Sequence, residues 1–341
     1  MPDAIDYAFS TAPEPSEPRE VAPGVHWVRM PLPFRLDHIN IWLLEDGEGW
    51  ALVDTGIFNA PSVEIWEGLL RDRLGGRPLT RVLVTHFHPD HMGMAGWLVE
   101  KTGADLYMTQ AEWLWARSLG LDEDPILVTQ AVDFYRRCGC SEEMLAHTQD
   151  SGVRYPPLVS SVPRTYRRMR DGDTIEIGAH AWRVVVGTGH APEHACLYCP
   201  EIGVMISGDQ VLPRITPVIS VHSWEPEANP LQDFLDSLDK LRALPADTYV
   251  LPSHNLPFYG LGVRLATLKA HHDDRLGDLL GGCVETATAM DLVGALFRRP
   301  LDLRNMSLAV SETLAHANLL IRQGLVSRET GPDGVWLYRR R

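Results

Sequence analysis

Five short apolar runs in this chain each end on an aspartate or a histidine. They are Leu52-Val53-Asp54, Leu83-Val84-Thr85-His86, Val185-Val186-Gly187-Thr188-Gly189-His190, Met205-Ile206-Ser207-Gly208-Asp209 and Val250-Leu251-Pro252-Ser253-His254. If these runs are strands that share sheets and point the same way, their polar ends gather along one edge. Loops at strand ends are where α/β folds carry their sites.

The rest of the chain supports that layout. Val25 to Arg29 and Ile39 to Leu44 read as strands, and Asp46-Gly47 turns the chain into Trp50 to Val53, which makes a meander. Beyond residue 60, helix alternates with strand. Val63 to Leu74 has helical spacing and stops at Gly75-Gly76, Arg81 to Thr85 is a strand, and Met92 to Lys101 is a helix closed by Gly103. Strands resume at 174–177, 182–186 and 203–206, and a helix near 230–243 precedes Thr248 to Leu251. The pattern predicts a layered α/β body, loosely duplicated as two halves. Residues 1–22, with Pro2, Pro13, Pro15 and Pro18, are expected to form an extended, poorly ordered leader.

The densest polar segment is Thr85-His86-Phe87-His88-Pro89-Asp90-His91. Neutral imidazoles and carboxylates are ligands for zinc and neighbouring divalent metals, and four of them in six residues would be costly to bury without a cation. Strand alternation sends His86 and His88 to one side. Asp90 and His91 follow the turn made by Pro89, an arrangement that can feed two metals at once.

The pattern His86-x-His88-x-Asp90-His91, with His190, Asp209 and His254 downstream and Asp54-Thr55-Gly56 upstream, closely resembles the metallo-β-lactamase superfamily over about residues 24–258. The resemblance implies an αββα sandwich with its site at one edge of the two sheets. It implies that His86, His88 and His190 bind a first metal, that Asp90, His91 and His254 bind a second, and that Asp209 bridges them. Asp54 would orient ligands by hydrogen bonds. The implied cofactors are two divalent ions, zinc first and iron or manganese as alternatives. Two such ions bring four positive charges, of which Asp90, Asp209 and a bridging hydroxide remove three, so the centre stays positive toward a developing oxyanion. Two departures bear on substrate. Antibiotic-hydrolysing members with a zinc-bound cysteine lack an aspartate at the Asp209 position, which disfavours β-lactam hydrolysis, and Glu193 stands where a glycine is usual. His194 reads equally as a residue behind the ligands or as an ordinary hydrogen-bonded histidine. His222, Tyr166 and Tyr259 are the candidates for a general acid.

Residues 23–261 therefore form the expected catalytic domain, with 111–170 as a helical cover insert. Its Trp113, Trp115 and Tyr135 fit the insert's own core better than a substrate contact. Arg164, Arg167, Arg168 and Arg170 read as a solvated face. From residue 262 the pattern changes to a small, mainly α domain. Helices are expected at 263–280, 288–297 and 307–323, followed by a hairpin of 325–328 with 335–338, an arrangement resembling a winged helix. This tail has 11 basic against 9 acidic residues, with the basic ones scattered apart from Arg339-Arg340-Arg341, and the remainder has 20 against 36. With a net charge of −14, a nucleic-acid partner is not expected, and the tail's role is packing, dimerisation or completing the cleft. The five cysteines follow no disulfide framework, and Cys196 and Cys199 read as buried strand. No secretory signal or membrane-length apolar run is read, so a cytoplasmic protein is expected.

The leading expectation is a dinuclear metallohydrolase, similar to glyoxalase-II-type thioesterases, that uses a metal-bridging hydroxide on a small ester or thioester. Three rivals stand beside it: phosphodiester or RNA cleavage at the same centre, iron-dependent persulfide oxidation at a single metal, and a metal-binding regulator that has lost turnover.

Overall fold

The computed structural model describes residues 4–15, 17–122 and 125–341. They divide into two compact units. The first runs to Asp122 and adds Tyr155–Pro217 and Lys240–Leu265; the second joins the residues up to Arg154, Val218–Asp239 and Ala266–Arg341.

Two seven-stranded sheets flanked by helices build the first unit. One sheet runs, in spatial order, Arg19–Ala22, Val25–Pro31, His38–Asp46, Gly49–Val53, Leu79–Leu83, Asp105–Met108 and Arg167–Arg168. Its first four strands form an antiparallel meander. From Gly49–Val53 onward the pairing is parallel, and helices such as Ala60–Gly68 and Ala95–Thr102 make the crossovers. The other sheet runs Asp6–Tyr7, Phe258–Tyr259, Tyr249–Pro252, Val204–Gly208, His194–Cys199, His180–Gly187 and Thr174–Ile177, with Val204–Gly208 and Tyr249–Pro252 as its parallel pair.

Strand alternation explains why the apolar runs are continuous. Successive side chains point to opposite faces, and in the meander both faces are buried. Ile39, Ile41 and Leu43 join one core with Leu52, Val82, Trp66, Met92, Leu98 and Ala116, under the helices. Trp42, Leu44, Ala51, Val53 and Leu83 join the other, facing Trp182, Val184, Leu197, Ile206 and Leu251 of the second sheet. Trp27 stacks on Trp42 in this inter-sheet layer at 6.1 Å. Each large apolar side chain buried in this way contributes about 1.5–3 kcal/mol.

Part of the leader is ordered by pairing. Asp6 and Tyr7 pair with Tyr259 and Phe258, and Arg19 to Ala22 pairs with Val25 to Trp27, so each sheet gains an edge strand. Edge positions accept proline-rich flanks because one side of the strand needs no partner.

The stretch expected to be a single cover is divided between the units. In the first, helix Gln110–Leu121 turns Ala116, Trp113 and Trp115 into the core beneath the sheet. In the second, helices Ile126–Arg137 and Glu142–Ser151 pack with the C-terminal residues. Phe134 meets Trp336 edge-on at 6.0 Å, and the Met290 N–H donates to the Cys138 carbonyl. The amphipathic face of Val128, Val132 and Phe134 is what the second unit buries. Its tail comprises helix Ala289–Leu296, opened by a reciprocal Thr288–Asp291 cap, and helix Leu303–Arg322, capped by Asp302. A three-stranded antiparallel sheet follows, in the order Ala287–Thr288, Trp336–Arg340, Val326–Thr330. The first of these strands had no sequence signal beyond two residues. Arg164, Arg167, Arg168 and Arg170 are exposed, with Arg167 paired to Asp105 at 2.6 Å. All five cysteines are free and buried. Among the described residues, no helix is long and apolar enough to cross a membrane.

Candidate metal centre

The parallel strand pairs decide where the polar residues meet. Gly49–Val53 alongside Leu79–Leu83 brings Asp54 and His86 to one edge, and Val204–Gly208 alongside Tyr249–Pro252 does the same for Asp209 and His254. The two sheets are then stitched at that edge. The Asn40 amide donates to the carbonyls of Pro252 and Asn255, both at 2.8 Å, and the Ala195 N–H donates to the Thr85 carbonyl at 2.9 Å. Pro89 starts a short helix, Pro89–Met92, whose first turn carries Asp90 and His91.

All seven residues expected as ligands converge. His86, His88 and His190 form one trio of ligand atoms, and Asp90, His91 and His254 form another, with every atom of a trio within 4.8 Å of the others. In the first, His86 Nε2 lies 2.8 Å from His88 Nδ1 and 3.3 Å from His190 Nε2. In the second, Asp90 Oδ2 lies 3.7 Å from His91 Nε2 and 3.5 Å from His254 Nε2. Asp209 faces both: Oδ1 is 3.6 Å from His91 Nε2 and 3.3 Å from His254 Nε2, while Oδ2 is 3.5 Å from His190 Nε2.

A divalent ion fits these residues. Tetrahedral coordination with bonds of about 2.0–2.1 Å has edges of about 3.3 Å, which the observed separations bracket. His91 Nε2 and Asp209 Oδ1 are buried without a hydrogen-bond partner among the described residues, a costly arrangement unless a cation stands between such atoms.

The ring tautomers are set from behind. Asp54 is fully buried and accepts from His91 Nδ1–H at 2.8 Å, from the Thr85 N–H at 2.8 Å and from the Thr85 hydroxyl at 2.9 Å. With that hydroxyl committed to Asp54, His86 Nδ1–H donates to Thr85 Oγ1 at 3.0 Å. His254 Nδ1–H donates to the His38 carbonyl at 2.8 Å. Each bond engages Nδ1 from behind and turns Nε2 toward the centre as the atom available to a metal. Burial alone would lower the pKa of His91, but Asp54, Asp90 and Asp209 around it hold it well above the ordinary histidine value. His86 is pushed well below by burial and by the neighbouring histidines. Burial would raise Asp209, yet His254 and His91 hold it well below the carboxylate range.

His194 lies behind the ligands. It is buried, stacks on His86 at 4.7 Å, and its Nε2 accepts the Asp209 N–H at 3.0 Å, while burial holds its pKa down to about 3. Gly208 makes this approach feasible: its φ is +52°, and a Cβ there would fall 2.4 Å from His194 Cε1.

All three general-acid candidates stack on another ring, Tyr259 on Tyr249 at 4.5 Å. Tyr166 stacks on Trp113 at 4.6 Å. Tyr259 lies with Gly203, Thr248 and Tyr249, beside the starts of the strands that end at Asp209 and His254, so it sits at the far end of the sheet. His222 stacks on Trp224 in the second unit. A separate group, His180, Cys199 and Glu201, is held by mutual contacts of 3.4 and 3.5 Å.

Thr85, His38 and Asn40 support the centre without having been singled out in the sequence, and so does Glu112. Glu112 is wholly buried and accepts the Phe87 and Glu193 N–H groups at 2.9 and 2.7 Å, with burial pushing its pKa up to about 8 against those bonds. One signal existed: Glu112, Ala116 and Leu119 share a helix face at i, i+4 and i+7, so an acid stands on an apolar stripe.

Comparisons with known proteins agree in kind. Residues 35–254 match the family described as "Metallo-beta-lactamase superfamily", and 276–341 match "Metallo-beta-lactamase-like, C-terminal domain". A beta-lactamase domain protein from Burkholderia ambifaria has a similar structure, with a TM-score of 0.92 and 44% identity over 99% of this chain and 98% of that one. A metallo-beta-lactamase family protein from Thermus thermophilus matches with a TM-score of 0.78 and 32% identity over 94% and 100%. Among curated relatives, a hydroxyacylglutathione hydrolase from Rhodobacter capsulatus is 26% identical over 74% of this chain and 76% of its own. An acyl-coenzyme A thioesterase from Homo sapiens is 24% identical over 65% and 74%.

Proposed function

Because the chain belongs to the metallo-beta-lactamase superfamily, we propose that it is a dinuclear metallohydrolase acting on an acyl thioester of a small thiol. His86, His88 and His190 would hold one divalent ion and Asp90, His91 and His254 the other, with Asp209 available to both. Zinc is the first candidate, since imidazole and carboxylate ligands at these separations suit it. When bound, the ions supply a water nucleophile at neutral pH and polarise the substrate carbonyl.

The observation that carries this reading is Asp209, whose two oxygens each face a different trio. The chain's own groups do the rest of the positioning. Asp54 and the His38 carbonyl hold His91 and His254 in the tautomer with Nε2 turned inward. His194, neutral because it is buried, fixes the Asp209 backbone. Burial of His86, His91 and His254 keeps bulk water from competing for their inward nitrogens.

Thioester cleavage is favoured over the rivals on two grounds. The hydroxyacylglutathione hydrolase and acyl-coenzyme A thioesterase relatives carry names that specify thioesters. Oxidation at a single iron would use one trio, whereas both are assembled here. The test is a substrate panel offered to the zinc-loaded protein: acyl-glutathione and acyl-coenzyme A thioesters, aryl esters, a phosphodiester and a β-lactam. Thioester turnover that falls at least about a hundredfold in Asp209→Asn is expected. Phosphodiester cleavage without thioester cleavage would overturn the assignment.

A further inference from the structure

Two loops that are distant in sequence must be held in step for the first trio to form. His86 and His88 flank Phe87 on one, and His190 precedes Glu193 on the other. Glu112 lies between these loops, wholly buried, and each of its carboxylate oxygens is committed to one of them. Oε2 accepts the Phe87 N–H at 2.9 Å and Oε1 accepts the Glu193 N–H at 2.7 Å. We propose that Glu112 is the positioning residue of the first metal site, a single carboxylate that sets the spacing between the His86–His88 loop and the His190 loop. The proposal rests on the reading that His86, His88 and His190 bind a metal.

The surroundings show why this is a brace rather than an incidental pair of bonds. Phe87 is held at every polar point of its peptide: the N–H by Glu112 and the carbonyl by the Tyr155 hydroxyl at 2.5 Å. Its ring stacks on Trp115 at 5.9 Å. The opposite loop is latched back onto the helix that carries Glu112. Glu193 Oε2 accepts the Ala111 N–H at 2.9 Å, and the Thr109 hydroxyl donates to the Glu193 carbonyl at 2.8 Å. Glu193, the departure from the glycine usual in resembling proteins, is thereby one half of a reciprocal clamp.

The chemistry of the group fits this task. Both oxygens of a carboxyl group can accept, so Glu112 can take one N–H from each loop, whereas a glutamine has one oxygen and must turn its NH2 toward one of the donors. A buried carboxylate is expensive, and here its direct partners are backbone N–H groups. Residues that orient metal ligands typically change metal affinity by about 10–100-fold when removed.

The test uses the full-length protein, stripped of metal and titrated with cobalt(II) against a competing chelator, in wild type, Glu112→Gln and Tyr155→Phe. Glu112→Gln is expected to weaken one of two bound ions by about 10–100-fold and to alter its visible absorption, with the other ion unmoved. Tyr155→Phe is expected to weaken the same ion less. The metal-free melting temperature separates this from general damage: a merely structural role would lower it and leave the cobalt spectrum of the folded protein unchanged. A Glu112→Gln protein with wild-type affinity and spectrum for both ions would overturn the proposal. If that variant does not fold, an unaltered spectrum in Tyr155→Phe does so instead. A wild type that takes up no cobalt removes the metal reading itself, a different failure from either of these.

Discussion

Asp54→Asn isolates what one buried carboxylate does for the second metal trio. The substitution preserves shape, and asparagine tolerates the left-handed φ of 59° at this position as aspartate does. It changes one interaction in kind. Asp54 Oδ2 accepts His91 Nδ1–H at 2.8 Å, within a group of bonds that also takes the Thr85 N–H and hydroxyl. In the variant the Thr85 N–H keeps the amide oxygen, and the NH2 group is turned toward His91. Two donors then face each other, and the imidazole relieves this by moving its proton to Nε2, the nitrogen that points at Asp209. A hydrogen bond to a charged group contributes about 1.5–3 kcal/mol. At about 1.4 kcal/mol per decade this corresponds to a loss of roughly 10–100-fold in affinity for one ion, the range seen when ligand-orienting residues are removed. Chelator competition with zinc measures it directly. One equivalent should weaken by that factor while the other holds. Retention of both equivalents at wild-type affinity would refute the tautomer reasoning.

Other expectations follow from the same structure. Gly208→Ala should lose metal and stability together by more than about 1 kcal/mol, since a Cβ at φ +52° meets the His194 ring, as read by denaturant melts and metal content. Trp182→Ala, which empties the layer between the sheets, should cost about 3–5 kcal/mol in urea unfolding. In the second unit His316 Nδ1–H donates to the Glu312 carbonyl, and His316 Nε2 accepts His272 Nδ1–H at 3.2 Å, so both rings are buried neutral. Burial holds them down to about 4 and about 3, below their unfolded value of 6.5. The unfolded chain therefore binds more protons, and the stability these rings contribute is complete above pH 6.5 and lost as pH falls toward 4 and then 3. Unfolding midpoints recorded across that window should show the loss, and His316→Leu should reduce the slope by about one proton.

The features legible in the sequence were those written in local pattern. Asp54, His86, His190, Asp209 and His254 stood out because each terminates an apolar run, and the structure shows why those runs are apolar throughout: both faces of the strands are buried. What escaped was set by distant pairing. The edge strands at Asp6–Tyr7 and Arg19–Ala22 have no periodicity of their own and exist because a sheet edge receives them. Tyr259 follows His254 by five residues, yet a reversal of the chain carries it to the opposite end of its sheet. The split of the 111–170 stretch depends on Trp336, far along the chain, offering Phe134 a partner. Glu112 looks like a first-turn acid until Phe87 and Glu193 are seen to converge on it.

The most direct measurement is a crystallographic anomalous-scattering map of the zinc-loaded protein, recorded on either side of the metal edge. Two peaks are predicted, one enclosed by His86, His88 and His190 and one by Asp90, His91 and His254, with an Asp209 oxygen toward each. A single peak, or none near Asp209, would contradict the shared-carboxylate centre on which the hydrolytic reading depends.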